Sequence, residues 1–131
     1  MTAQRLIIGG GVAIGAMAAL LGAGSASAAE FEVDPAEGYA GVYLSHDDTV
    51  LLANTPVPDW LDQIATPDNT YVVSAPYTRY QRIEGPDDEG WIVATPADLW
   101  REAATQPDGS VSVYWLDPAR YEGYSFEVRQ E

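Results

Sequence analysis

The sequence predicts a small single α+β domain, with short helices packed on one face of a mostly antiparallel sheet, behind an N-terminal signal peptide. Three observations predict it. About 100 residues follow the leader, the size of one ordinary domain. Helical signals come first, and the order then runs β-α-β-β rather than as a strict βα alternation. Turn residues punctuate the chain between these segments, with Pro-Asp beginning at Pro58, Pro67, Pro86 and Pro107.

The leader reads as an address. Arg5 supplies a short positive region, residues 6–24 are uncharged and rich in Leu, Ile, Val, Ala and Gly, and Ala26-Ser27-Ala28 fits the small-x-small rule of signal peptidase. The run approaches the roughly 20 residues that span a bilayer. Its glycines weaken a permanent helix, and no basic cluster follows to hold it. The expected division is therefore a secretory signal over 1–28, a flexible acidic arm over 29–38 and one α+β domain over 39–131. The expected location is extracellular or in the cell envelope, with no membrane contact after cleavage.

The elements follow in order. Residues 30–38 are acidic and read as the arm. Tyr39 to Leu44 reads as a short strand. Ser45 caps a helix whose first turn holds Asp47 and Asp48 and which ends before Pro56. Asp59 to Ala65 forms a second helix with Trp60, Leu61, Ile64 and Ala65 on one face. Tyr71-Val72-Val73 favours a strand, and Tyr77 to Ile83 an extended segment. After the loop Glu84–Gly90, Trp91-Ile92-Val93-Ala94 reads as a central strand, apolar on both faces. Thr95-Pro96-Ala97-Asp98 opens a helix that runs to Thr105, with Leu99, Trp100, Ala103 and Ala104 inward. Val111, Val113 and Trp115 alternate as a half-buried strand. Tyr124, Phe126 and Val128 alternate as the last, with Glu127 and Arg129 outward. All four tryptophans are expected in the core.

Charge narrows the partners. All 20 acids and five of the six basic residues follow position 28, leaving a net charge of −15 there, and every basic residue is arginine. Nucleic acid is excluded as a partner because phosphate binding needs clustered cations. A basic protein would be attracted. The chain has no cysteine, which rules out disulfides, thiol catalysis and thiolate-held zinc.

No catalytic constellation stands out, and the protein is read as not an enzyme. Ser45, His46 and Asp47 are neighbours in sequence, whereas triad members converge from separate segments. His46 is the only histidine, so a zinc site is not expected, nor any other cofactor. The acids of Asp87-Asp88-Glu89 are consecutive and do not follow the calcium-loop pattern. A hydrolase built on two of the many carboxylates stays a second alternative. Tyr77, Tyr80, Tyr114, Tyr121 and Tyr124 are too many to bury together, and exposed tyrosine beside carboxylate suits protein recognition. The expected partner-binding residues are Asp87, Asp88, Glu89, Tyr77, Tyr80 and Tyr121. The leading expectation is an acidic, secreted, non-catalytic protein that binds or inhibits a basic extracellular or envelope protein. A small glycan-binding module is the first alternative.

Overall fold

A computed structural model describes residues 29–85 and 90–131. These residues form one α+β domain in which three short helices pack against a five-stranded mixed sheet, with a separate two-stranded ribbon. The strands are β1 (Glu30–Asp34), β2 (Tyr39–Tyr43), β3 (Thr70–Val73), β4 (Arg82–Glu84), β5 (Gly90–Ile92), β6 (Val111–Leu116) and β7 (Phe126–Gln130). The helices are α1 (His46–Ala53), α2 (Val57–Ile64) and α3 (Pro96–Thr105). The large sheet runs β1-β2-β6-β7-β3, antiparallel throughout except for β3, which lies parallel to β7. No helix of the described residues is long and apolar enough to cross a membrane.

Local chemistry sets the helix ends. Ser45 accepts the Asp48 amide through its side chain and starts α1. At α3, Thr95 accepts the Asp98 amide while Asp98 accepts the Thr95 amide, a reciprocal capping box. Asp62 of α2 accepts the Ala97 amide at 2.8 Å, so one helix caps the next. The Arg101–Asp59 ion pair at 2.9 Å joins the same two helices, but both side chains are exposed and it adds little.

Alternation along the strands divides the sheet into two faces. Ala40 and Val42 of β2, Val111, Val113 and Trp115 of β6 and Val128 of β7 face the helices and are buried. Leu52, Leu61, Leu99 and Trp100 meet them from α1, α2 and α3. Trp100 is 0 % exposed and donates its indole N–H to the Thr49 carbonyl at 3.0 Å. The Thr49 hydroxyl in turn accepts the Val111 amide, tying α1 to α3 and β6. A second buried polar node joins α3 to the sheet. Gln130 accepts the Ala75 amide and donates to the Leu99 carbonyl and to Glu102. Burial alone would raise the Glu102 carboxyl. The Arg79 amide, Thr78, Gln130 and the Arg79 charge outweigh it and hold the carboxyl below its ordinary range.

Three segments differ from expectation. Residues 30–34, read as a flexible arm, form β1 in unbroken antiparallel register with β2. Glu30, Glu32 and Asp34 point to one side and Phe31 and Val33 to the other, so the acids occupy alternate positions of a strand edge. Trp91, expected in a central strand, lies in the β4–β5 ribbon at 56 % exposure. Its partner strand carries Arg82 and Glu84, and no helix covers it. The last strand begins at Phe126 rather than Tyr124, which sits in the preceding turn.

Candidate functional site: the open tyrosine face

The other face of the sheet carries no helix. Cross-strand register places Glu30, Glu32 and Asp34 of β1, Tyr39 and Tyr43 of β2, Tyr114 of β6, Glu127 and Arg129 of β7 and Tyr71 of β3 on this side. Tyr124 meets Tyr71 edge to face, and Tyr121 joins the rim from the β6–β7 connection. Six of the chain's eight tyrosines are thus gathered on one surface or its rim. Four carboxylates stand there against one guanidinium, so the face is negative.

Gly41 makes the centre possible. It sits between Tyr39 and Tyr43 and opposite Tyr114. A Cβ at position 41 would lie 2.8 Å from the Tyr114 ring. With hydrogen there instead, the ring lies down over the strand. Tyr39 and Tyr43 stand edge-on to it, with centroids 6.1 and 5.3 Å away. From β7, the Arg129 guanidinium lies 6.0 Å from the same ring centre, and it reaches Glu127 at 3.4 Å. The Arg129 Nε is buried without a hydrogen-bond partner among the described residues. Tyr39, Tyr43, Tyr114, Leu116, Tyr121, Glu127 and Arg129 enclose a shallow pocket of about 200 Å³.

Glu32 organises one wall. Its two oxygens accept hydrogen bonds from the Tyr39 hydroxyl at 2.6 Å and the Tyr43 hydroxyl at 2.9 Å. The bond to Glu32 pushes the Tyr39 phenol up to about 12. Tyr43 is pushed up as well, by its contact with the Tyr114 hydroxyl, by burial and by Glu32. Burial also raises Tyr114 and Tyr121. All four phenols therefore remain neutral donors at physiological pH. Chemically the surface offers flat apolar rings, hydroxyls and net negative charge.

The expected site residues separate. Tyr121 belongs to this rim and anchors it by donating to the Glu37 carbonyl at 2.9 Å. Tyr77 and Tyr80 lie in the β3–β4 loop beside α3. Tyr77 donates to the Glu131 carbonyl, and Tyr80 sits under Arg79. They do not join Tyr121. Asp87, Asp88 and Glu89 lie outside the described residues. Tyr39, Tyr43, Glu32, Glu127 and Arg129 were not singled out by sequence. The Tyr-x-Gly-x-Tyr spacing of residues 39–43 was the available signal, since positions two apart share a strand face. His46 is structural in its contact: its Nδ1 lies 2.6 Å from the Gly109 carbonyl, joining the start of α1 to the turn before β6. Among the described residues no group of three or more His, Cys, Asp or Glu could hold a metal ion.

Comparison with known proteins gives no match: no family model, no curated protein and no solved structure is significantly similar to this chain.

Proposed function

We propose that the protein is a secreted, non-catalytic binding protein that takes a basic protein partner on its open tyrosine face. The observation that carries this reading is the gathering of six tyrosines and four carboxylates on the one sheet face the helices leave bare. Tyrosine provides large contact area at small entropic cost, and interfaces are enriched in it. The arginines reinforce the sign of the surface. Each of the five described arginines lies within 4.0 Å of a carboxylate, so positive charge is already neutralised locally while most acids face solvent. The leader supports an extracytoplasmic setting for such a partner.

A small glycan module is the second reading, favoured by the shallow pocket whose tyrosine walls flank Glu127 and Arg129. One experiment separates the two. Immobilised protein is exposed to culture supernatant and envelope extract at about 0.15 M and about 1 M salt. The same capture is run with the Glu32→Gln/Glu127→Gln variant. The proposed reading expects one basic protein held by the wild type at both salts and lost from the variant. Capture of polysaccharide instead selects the glycan reading. Equal capture of every basic protein, abolished by salt, overturns specific recognition.

A further inference from the structure

We infer that the outer edge of β1 is a docking site for an extended basic segment of the partner, which adds to the sheet as a sixth strand. The inference rests on the reading of the open face as the surface for a basic protein, and it specifies how that protein engages.

An edge strand presents a row of unpaired amides and carbonyls, and proteins usually blunt such edges with proline, lysine, a bulge or a covering element. Among the described residues no element covers the β1 edge and no bulge interrupts it; its protection is charge, from Glu30, Glu32 and Asp34, with Pro35 after the strand, and that charge repels an acidic strand but not a basic one. Residues 30–34 hold regular register with β2 at every position, and among the described residues nothing pairs with their outer side. The opposite edge is shorter, with four residues in β3 and Pro76 soon after. On the helix side of the sheet β1 is apolar: Phe31 and Val33, in register with Val42 and Ala40, are 44 % and 43 % exposed.

Charge selects the occupant. On the tyrosine side, β1 carries Glu30, Glu32 and Asp34. A second copy pairing antiparallel about Glu32 would set Glu32 against Glu32 and Glu30 against Asp34. Directly opposed like charges destabilise a pair of strands. A segment alternating basic and apolar residues meets the opposite situation. Its cations fall opposite Glu30 and Glu32, on the tyrosine side of the sheet, and its apolar residues fall beside Phe31 and Val33. Main-chain hydrogen bonds then supply affinity and the two faces supply sequence preference.

The test uses the full chain and short peptides blocked at both ends. One alternates Arg and Val; an isomer of equal composition places all Arg before all Val. A third is the alternating peptide N-methylated at every second residue. Binding is read by calorimetry, and amide exchange at residues 30–34 by NMR. The expected result is about tenfold tighter binding of the alternating peptide than of either control, with slowed exchange at β1. Equal binding of the isomers without protection at β1 overturns strand addition. Where a basic protein is still captured on the tyrosine face, that result leaves the broader reading intact. Protection of β1 in the free chain, as monomer or dimer, shows the edge already occupied and also overturns the inference.

Discussion

The two faces of the five-stranded sheet are built from the same strands but solve different problems. On the helix side, Val42, Val113, Trp115 and Val128 meet Leu52, Leu61 and Trp100, and almost no surface remains. The other side is aromatic too, yet its rings stand half-exposed among carboxylates. Burial at roughly 25 cal/mol per Å² of apolar area makes the first face the source of stability. Exposed ion pairs and hydroxyl–carboxylate bonds on the second face are worth little in water. A surface so rich in tyrosine and so poor in stabilising return is what the proposed recognition role calls for. Hydrophobicity alone therefore does not separate the buried face from the open one in this chain. Alternation along each strand does.

Substitutions can break this contrast, and the largest effect belongs to the helix side. Trp100→Ala removes a fully buried ring and the indole bond to Thr49, and should cost about 3–5 kcal/mol in urea denaturation. Next comes Gly109→Ala. A Cβ there would collide with the Ala103 carbonyl oxygen, so the α3–β6 turn must shift; a loss of about 1–3 kcal/mol is expected by the same assay. On the open face, Gly41→Ala collides only with the Tyr114 ring, which can swing outward. Its stability cost should stay below about 1 kcal/mol while partner binding falls about tenfold.

The smallest effect appears only in alkali. The folded protein holds Tyr39 near 12 and Tyr43 also above its ordinary value, whereas both titrate near about 10 in the unfolded chain. Between those values the unfolded state loses protons that the native state keeps, so stability declines with rising pH. The contribution is complete below about pH 10 and is lost as pH passes through about 12. Tyr39→Phe/Tyr43→Phe should remove this part of the decline in denaturation followed against pH.

Much of the helix side was legible in the sequence. Thr95-Pro96-Ala97-Asp98 specifies the α3 start through local hydrogen bonds alone, and the alternation of Val111, Val113 and Trp115 shows which side of β6 is buried. The ribbon was not legible, because a run such as Trp91-Ile92-Val93-Ala94 states apolarity without stating what will cover it. β1 hid behind its charge: Glu30-Phe31-Glu32-Val33-Asp34 alternates strictly, but its acid density resembles a solvated arm. The open face needed register between strands far apart in sequence. Nothing local places Tyr114 over Gly41, or Glu127 and Arg129 beside that ring, and parallel pairing of β3 with β7 is equally non-local. Tyr121, expected to bind a partner, lies on the rim of the open face, whereas its expected companions Tyr77 and Tyr80 contact Glu131 and Arg79 on another part of the surface.

The most direct test of the division of labour compares the wild type with Glu32→Gln/Glu127→Gln, which preserves side-chain shape and removes two charges from the open face. The captured basic partner is titrated against both proteins, and urea unfolding is measured on the same samples. The account predicts at least about tenfold weaker binding with an unfolding midpoint that scarcely moves. Unchanged binding, or a midpoint that collapses with the binding, would contradict it.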